Sequence, residues 1–298
     1  MIPAESPFHP DNEPGYQAWR AAKLADYPMR GEDLIVKVRD PAHLSDTEYR
    51  ALWQRIAKTN MAIYATDLGE AEDKEALRLL AAQFGLTHLN ANWLADEDGI
   101  SSLTPHEEDG QKRGEFIPYT HNRIRWHTDG YYNPPEQRIW AMALHCVRAA
   151  DEGGSNDLYD HELAYIALRD ADPAHIRALM AEDAMTIPAR TDEQGVARPD
   201  EPGPAFMVDS GLLHLRYTAR TRSIAWKQDA ATLAAVQALD ALLAGHPPGV
   251  FSLTLAPGMG VICNNVLHTR SGFSDRPEHR RLLYRARYHD HLRNLRGE

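Results

Sequence analysis

One stretch of the 298-residue chain, Ile139 to Val147, is almost continuously apolar, which is typical of a central β-strand. Strand patterns return late in the chain, where Leu283, Arg285 and Arg287 alternate with other residues. Residues 206–218 carry two further short strand patterns on either side of Ser210 and Gly211. The fold therefore has to be organised around β-structure.

Helical patterns come first in the chain and then between the strands. Residues Ser45 to Glu48 form a capping-box pattern that opens a helix, and Asp229 caps a later one. Helices followed by strands with helical insertions are compatible with a double-sheet barrel or jelly roll. An α/β sandwich is also compatible with this pattern. We expect a mainly β fold with helical decoration.

The length fits one large domain as well as two small ones, and we expect a single domain over residues 1–298. Residues 1–12 hold three prolines and predict a mobile or draped arm. Residues 86–125 are irregular and include the acidic stretch Glu107-Glu108-Asp109, which is typical of a lid or binding loop over an active site.

The net charge of −11 argues against nucleic acid as a partner, because an acidic chain gains nothing from counterion release. No run of apolar residues is long enough for a membrane span. Cys146 and Cys263 form no CxxC pair, so a thiolate zinc site is not supported. Two cysteines and no signal peptide predict a cytoplasmic protein. The charge does not oppose a homo-oligomer at cellular salt.

The string Trp126-His127-Thr128-Asp129-Gly130 carries most of the chemistry. In a strand, residues two apart share a face, so His127 and Asp129 would present an imidazole and a carboxylate side by side. His268, reached through the later strands, completes a two-histidine, one-carboxylate set. Such a set leaves three positions of an octahedral iron open, as non-haem Fe(II) oxygenases need. The alternative is that a His-x-Asp pair occurs by chance.

A basic cluster lies near the end of this acidic chain, with five arginines or histidines between His279 and Arg287. An arginine on a barrel strand can bind the distal carboxylate of a keto acid through two parallel hydrogen bonds. Arg281, 13 residues after His268, is the candidate. A solvated basic patch is the alternative.

His-x-Asp, a distant histidine and a downstream arginine resemble the taurine dioxygenase superfamily of Fe(II)/2-oxoglutarate oxygenases. The likeness covers about residues 120–290 and is closest to the γ-butyrobetaine hydroxylase branch. It is carried by the following strings: His127-Thr128-Asp129-Gly130-Tyr131-Tyr132, Leu144-His145-Cys146, Glu152-Gly153-Gly154-Ser155-Asn156, Asn264-Asn265, Leu267-His268, Arg270, Phe273 and Tyr288-His289-Asp290.

The resemblance implies a double-stranded β-helix and a dioxygenase that uses Fe(II), 2-oxoglutarate and O2. It implies iron ligands at His127, Asp129 and His268, and Arg281 as the clamp for the C5 carboxylate of 2-oxoglutarate. Asn156 falls where related enzymes help to hold this co-substrate. Arg285 falls where the taurine enzyme binds the substrate sulfonate.

The chain also departs from its relatives. The spacing from His268 differs by a couple of residues from that of the taurine enzyme, so Arg280 is a rival for the clamp. The cysteine-rich metal domain of the carnitine-pathway enzymes is absent. Asp129 replaces the Gly or Ala of related halogenases, which favours oxygen transfer over chlorination.

The substrate is the least constrained part of the prediction. If residues 216–222 are extended, Arg220 shares a face with Arg216 and Arg222, and with Arg285 these could bind a carboxylate, sulfonate or phosphonate. Salt bridges to surplus acids are the alternative. Tyr131 belongs to a group of aromatic residues around the iron motif that would cage a quaternary ammonium or pack as barrel core; the others are Tyr119, Trp126, Tyr132 and Trp140.

The sequence thus predicts hydroxylation of an unactivated C–H bond of a small anionic or zwitterionic metabolite, with release of succinate and CO2. Two alternatives stay open. One is a different oxidative outcome on the same iron, such as desaturation or cyclisation. The other is a non-catalytic metal or small-molecule sensor on the same fold.

Overall fold

The computed structural model describes residues 2–90, 95–106, 114, 116–192 and 195–297. The α-helices in this part of the chain are α1 (Glu13–Leu24), α2 (Asp46–Thr59), α3 (Lys74–Ala82), α4 (His161–Ala171), α5 (Pro173–Leu179) and α6 (Ala230–Ala244). Single turns of 3-10 helix lie at Gly31–Leu34, Ile117–Tyr119, Pro135–Gln137 and Thr221–Ser223.

The strands are mostly short. In chain order they are β1 (Ile35–Lys37), β2 (Met61–Ala65), β3 (Ser101–Leu103), β4 (Ile124–His127), β5 (Ala141–Arg148), β6 (Glu152–Gly153), β7 (Asn156–Tyr159), β8 (Met185–Ile187), β9 (Arg190–Asp192), β10 (Gly195–Arg198), β11 (Glu201–Gly203), β12 (Phe206–Asp209), β13 (Leu212–Leu215), β14 (Ala225–Trp226), β15 (Val250–Leu253), β16 (Met259–Cys263), β17 (Leu267–Arg270), β18 (Phe273–Ser274) and β19 (Leu282–Tyr288).

The chain divides into two compact units. The first comprises Met1–Tyr27, Arg125–Glu136 and Tyr159–Val250, and the second comprises Pro28–Ile124, Gln137–Leu158 and Phe251–Glu298. One domain over residues 1–298 stays a prediction.

The second unit is built on a six-stranded sheet with the order β1-β2-β16-β5-β19-β3. β1 pairs with β2 in parallel, and the other pairs are antiparallel, so the sheet is mixed. β5 lies between β16 and β19, and seven of its eight residues are buried. The central strand that the apolar run predicts is therefore confirmed.

One face of this sheet packs in the main apolar core of the second unit. From β19 this core takes Leu282, Tyr284, Ala286 and Tyr288, and from α2 and α3 it takes Leu52, Ile56, Leu77 and Leu80. Because side chains alternate along a strand, Leu283, Arg285 and Arg287 belong to the opposite face. All three are also buried. Both faces of β19 are thus withdrawn from water.

A second sheet has the order β15-β7-β17-β4, and the remaining strands form pairs or a group of three. Among the described residues, no sheet closes on itself into a barrel. The predicted combination of β-sheets with helices is therefore confirmed, and the jelly-roll arrangement of the sheets stays a prediction.

The first unit contains α1, α4, α5 and α6 together with short strands. Lys23 of α1 is buried and forms ion pairs with Asp160, 2.7 Å away, and with Glu162. Arg169 of α4 donates hydrogen bonds to the carbonyls of Pro7 and Pro10. Phe8 is 3% exposed. These contacts favour the draped form of the N-terminal arm.

The described part of segment 86–125 includes β3, the turn Ile117–Tyr119 and the start of β4. Residues 91–94, 107–113 and 115 lie outside the described residues, and with them the acidic stretch Glu107-Glu108-Asp109. A lid role for this segment stays a prediction.

Both cysteines are free and buried. No helix in the described residues is both long and apolar enough to cross a membrane.

Because Gly260 of β16 has no side chain, the ring of Tyr64 from the neighbouring strand β2 can lie directly over it. A Cβ atom at this position would lie 2.2 Å from the Tyr64 ring and 2.3 Å from the carbonyl oxygen of Leu144. We expect Gly260→Ala to lower the free energy of unfolding by about 1–3 kcal/mol or more, because the backbone of a central strand cannot move away. Denaturant unfolding measures this loss. Gly31→Ala is the matched control, since its Cβ would meet only the Ser252 carbonyl, at 3.8 Å. Equal stability of the two variants would contradict the close approach.

His145 of β5 lies beneath Tyr64, whose hydroxyl is 3.1 Å from Nδ1 of the imidazole. Burial lowers the pKa of His145 from 6.5 to about 4. Between pH 6.5 and about 4, His145 is therefore protonated in the unfolded chain but neutral in the folded protein. The stability from a neutral His145 is complete above pH 6.5 and is lost as the pH falls towards 4.

We expect the unfolding free energy of the wild type to fall by about 3 kcal/mol more than that of His145→Gln between neutral pH and pH 4. Denaturant titrations at both pH values measure the difference. His43→Gln, at an exposed site, controls for the loss of any imidazole. The same pH dependence in wild type and His145→Gln would contradict the assignment.

Candidate metal centre

Three side chains with metal-binding atoms come together in the structure. One ligand atom from each of His127, Asp129 and His268 lies within 4.8 Å of the others. In the described part of the chain, these residues form a group of His and Asp side chains that could hold a metal ion. Nε2 of His127 is 4.0 Å from Oδ1 of Asp129. Asp129 and His268 are both 6% exposed, and His127 is half-buried. Two imidazoles and one carboxylate are a donor set suited to non-haem Fe(II).

The local backbone differs from the sequence prediction at Asp129. β4 ends at His127, and Asp129 begins a turn in which Gly130 has a φ of +65°. The prediction of one strand carrying both ligands is therefore wrong. The turn is closed by a hydrogen bond from the Asn133 amide to the Gly130 carbonyl, 2.8 Å. A left-handed glycine directly after Asp129 makes this sharp change of direction possible.

The main-chain contacts of both histidines indicate which ring nitrogen is available to a metal. Nδ1 of His127 lies 2.9 Å from the Arg125 carbonyl, and Nδ1 of His268 lies 3.0 Å from the Val266 carbonyl. Because a carbonyl oxygen only accepts, each Nδ1 carries a hydrogen, and in the neutral ring Nε2 is then the nitrogen with the lone pair. Metal-binding histidines typically donate their second ring nitrogen to such a carbonyl, which fixes the ring. The residues present therefore fit a metal ion.

Arginines line the part of the second unit next to β19. Arg281 directly precedes the strand, and Arg285 and Arg287 lie on its face opposite the apolar core. They are 4%, 9% and 3% exposed, respectively. The residues paired with Arg285 on the flanking strands, Leu144 and Ser101, are uncharged. Burial of such cations is costly unless anions accompany them.

Arg281 is held without a carboxylate partner. Its backbone amide donates to Oδ2 of Asp275, 2.7 Å away, and its guanidinium lies 4.9 Å from the Phe273 ring centre. Among the described residues no carboxylate lies within ion-pair distance of this guanidinium. Burial lowers the pKa of Arg281 to about 10, so it remains a cation at neutral pH. Gly154 leaves room for it, since a Cβ there would lie 3.2 Å from Nε.

Arg280 has different surroundings. It is half-buried, and Nη1 donates to the Pro105 carbonyl, 3.3 Å away. Of the two rivals for a co-substrate clamp, Arg281 is the more buried cation.

Asn156 of β7 is oriented by its neighbour strand. Its Nδ2 donates to the Thr269 carbonyl, 2.8 Å away, which fixes the orientation of the amide. Oδ1 is buried, and no described residue donates a hydrogen bond to it. A buried acceptor of this kind can bind a donor from a ligand.

The predicted substrate arginines do not form one row. Thr221–Ser223 is a 3-10 helix, so residues 216–222 are not extended throughout, and the condition under which Arg216, Arg220 and Arg222 would share one face is not met. Arg222 is exposed and Arg220 is half-buried. Arg216 is buried, and it donates hydrogen bonds to the carbonyls of Tyr131 and Asn133.

The aromatic residues around the iron motif have several different neighbours. Tyr131 contacts Tyr132 edge to face at 5.3 Å, and both pack with Trp226 against a small apolar cluster. Trp140 lies 5.1 Å from the guanidinium of Arg138. Tyr131, Tyr132 and Trp140 are thus partly buried and contact one another or neighbouring side chains.

Arg270 is among the residues that carry the family resemblance, but the sequence did not predict a role for it. Arg270 is two residues after His268 on β17 and is 4% exposed. Its guanidinium donates to the carbonyls of Pro118, Ile117, Thr120 and Asn122, and it lies 4.8 Å from the Phe273 ring centre. The i, i+2 spacing from His268 was the available signal.

The sequence model of the family described as taurine catabolism dioxygenase TauD, TfdA family matches residues 22–287. The protein therefore belongs to this family. The predicted superfamily, a family of non-haem Fe(II)- and 2-oxoglutarate-dependent dioxygenases, is confirmed. The γ-butyrobetaine hydroxylase branch stays a prediction.

Individual relatives are more distant. A uridine-5'-phosphate dioxygenase of an Amycolatopsis species is 32% identical over 169 residues, which are 55% of this chain and 60% of that protein. The chain thus spans well under two thirds of the length of the curated relative it matches.

Two solved structures show the same fold. An asparagine oxygenase in complex with Fe(II), hydroxyasparagine and succinate has a TM-score of 0.57 and 18% identity, with 94% of this chain and 85% of that chain covered. The non-haem iron oxygenase OrfP, in complex with Fe, succinate and (3S)-hydroxy-L-Arg, has a TM-score of 0.59 and 18% identity, with 97% and 92% covered. The chain therefore has the fold of these iron oxygenases.

Proposed function

We propose that this protein hydroxylates an unactivated C–H bond of a small anionic or zwitterionic metabolite, using Fe(II), 2-oxoglutarate and O2 and releasing succinate and CO2. The observation that carries the proposal is the convergence of His127, Asp129 and His268 within 4.8 Å, with both imidazoles oriented by main-chain carbonyls. We infer that the six-stranded and four-stranded sheets correspond to the two sheets of a double-stranded β-helix.

In this proposal Nε2 of His127, Nε2 of His268 and a carboxylate oxygen of Asp129 hold Fe(II). When bound, the iron supplies the activation of O2 that removes a hydrogen atom from the substrate. The protein keeps the two rings fixed through their Nδ1–H groups and keeps the carboxylate buried. Asp129 also fills the coordination position that a halide would need, which favours hydroxylation over halogenation.

Arg281 is the proposed clamp for the C5 carboxylate of 2-oxoglutarate. Its guanidinium is a buried cation that forms no ion pair with a carboxylate of the described residues, although the nearby Asp275 favours its charged form, so a bound dianion would supply a direct partner. Asn156 would donate its second Nδ2 hydrogen to the same co-substrate. Its buried Oδ1 can accept a hydrogen bond only from a donor, such as a substrate hydroxyl or ammonium.

Arg285 is the proposed contact for the anionic group of the substrate, with Tyr131 and Arg220 as further contacts. It is buried, and it lies four residues after Arg281 along the chain. The uridine-5'-phosphate dioxygenase relative points to a phosphate ester as one such substrate. The cytoplasmic location and a homo-oligomer stay predictions.

The first prediction concerns the metal and co-substrate together. Anaerobic addition of Fe(II) and 2-oxoglutarate to the wild type should give the weak visible charge-transfer band of the chelate, because the triad leaves positions open for two 2-oxoglutarate oxygens. His127→Ala should lose the band, since one of the three ligand atoms is removed.

His43→Ala is the matched control, because this histidine side chain is 84% exposed and outside the triad. It should keep the band. A wild type without any band, or a His127→Ala variant that keeps it, would show that the metal site is wrongly assigned.

The second prediction separates Arg281 from Arg280. Arg281→Met should weaken 2-oxoglutarate binding at least about 30-fold, since it removes one partner of a buried charged pair. Arg280→Met should leave the affinity close to that of the wild type. Titration of the charge-transfer band with 2-oxoglutarate at saturating Fe(II) measures both. The reverse ranking would make Arg280 the clamp.

A metabolite panel scored by succinate release then tests the reaction. It includes nucleoside 5'-phosphates, sulfonates, betaines and free amino acids. A product 16 mass units heavier than the substrate supports hydroxylation, and a product 2 units lighter indicates desaturation or cyclisation. Metal binding without succinate from any anionic or zwitterionic member favours a sensor.

A further inference from the structure

The turn that carries Asp129 is anchored at both of its ends by two consecutive residues of the first unit. At the start of the turn, the Thr128 amide donates to the Tyr217 carbonyl at 3.0 Å, and the Tyr217 amide donates to Oγ1 of Thr128 at 3.2 Å. At its end, Arg216 donates from Nε to the Tyr131 carbonyl at 3.2 Å and from Nη2 to the Asn133 carbonyl at 3.3 Å. Asp129 lies between the two anchors.

Arg216 is suited to this contact by its shape as well as its charge. Nε and Nη2 form one edge of a rigid planar group, so they can donate to two carbonyls at the same time, which a lysine ammonium does less well. The side chain is 1% exposed, so little solvent competes for these carbonyls. The guanidinium also lies against Gly203, where a Cβ atom would be 2.6 Å from Nη1.

The backbone of Arg216 is itself fixed. Its amide donates to the Ala205 carbonyl at 2.8 Å, and the hydroxyl of the next residue, Tyr217, donates to Oδ1 of Asp240 on α6 at 2.7 Å. A rigid residue thus holds a turn that has no regular secondary structure of its own. Within the turn, the Asn133 amide donates to the Gly130 carbonyl.

We propose that Arg216 is a positioning residue for the metal centre: by binding the carbonyls of Tyr131 and Asn133, it fixes the turn that presents the Asp129 carboxylate and so sets the affinity for Fe(II). The inference rests on the proposed function, because it takes Asp129 as a metal ligand. Arg216 touches neither the metal nor the substrate in this role. Residues that orient metal ligands typically change metal affinity when they are replaced.

The test measures Fe(II) binding without 2-oxoglutarate, anaerobically, in competition with a chromophoric chelator. Arg216→Met should weaken Fe(II) binding roughly 10- to 100-fold. Arg216→Lys should also weaken Fe(II) binding, because a single ammonium group cannot replace the two donors on one edge of the guanidinium. Tight binding by either variant, equal to that of the wild type, would overturn the proposal.

Arg169→Met separates positioning from a general loss of stability. Arg169 is also a buried arginine of the first unit that donates to two main-chain carbonyls, those of Pro7 and Pro10. We expect both Met variants to lower the melting temperature, but only Arg216→Met to weaken Fe(II) binding. An equal loss of Fe(II) affinity in both would overturn the specific role of Arg216.

Gly203→Ala serves if Arg216→Met does not fold. It keeps the arginine but forces Nη1 to move, so it should also weaken Fe(II) binding, whereas Gly31→Ala should not. Unchanged affinity in Gly203→Ala would then overturn the proposal. A wild type that binds no Fe(II) at all would overturn the proposed function and this inference together, whereas a wild type that binds and variants that bind equally would overturn the inference alone.

Discussion

The burial of three guanidinium groups at one strand is the constraint on which much of this structure depends. β19 presents Leu282, Tyr284 and Ala286 to the apolar core on one face, and Arg285 and Arg287 belong to the other, with Arg281 just before the strand. Arg281 forms no ion pair with a carboxylate of the described residues, and a buried cation is costly unless an anion accompanies it. This agrees with the proposal that Arg281 binds a dicarboxylate co-substrate.

Main-chain groups position the proposed metal ligands as much as side chains do. Carbonyls of Arg125 and Val266 contact Nδ1 of each histidine, and Arg216 donates to two further carbonyls of the turn after Asp129. Arg270 binds four carbonyls of segment 117–122 in the same way. Buried arginines thus donate hydrogen bonds to the carbonyls of irregular backbone segments.

Much of the fold followed from local patterns. The apolar run predicted β5, the capping box at Ser45 predicted the start of α2, and the alternation near the end predicted β19. These features depend on neighbours in the chain, so periodicity and capping chemistry suffice. Residues 216–222 are not extended throughout, because a 3-10 turn forms at Thr221–Ser223, where the Ser223 amide donates to the Arg220 carbonyl. The strand expected to carry both His127 and Asp129 ends at His127, which forms an isolated antiparallel bridge with Thr218.

The sequence by itself determined the chemistry: two histidines, one aspartate and a downstream arginine in an order that identifies the family and its metal-binding residue types. Only the tertiary structure decided how those residues are used. It brought His268 to His127 and Asp129 across about 140 residues of chain, distinguished Arg281 from Arg280 by burial, and revealed Arg216 behind the Asp129 turn. The physical reason is that burial, tautomer and electrostatic compensation belong to contacts between segments far apart in the chain, and no local pattern encodes them.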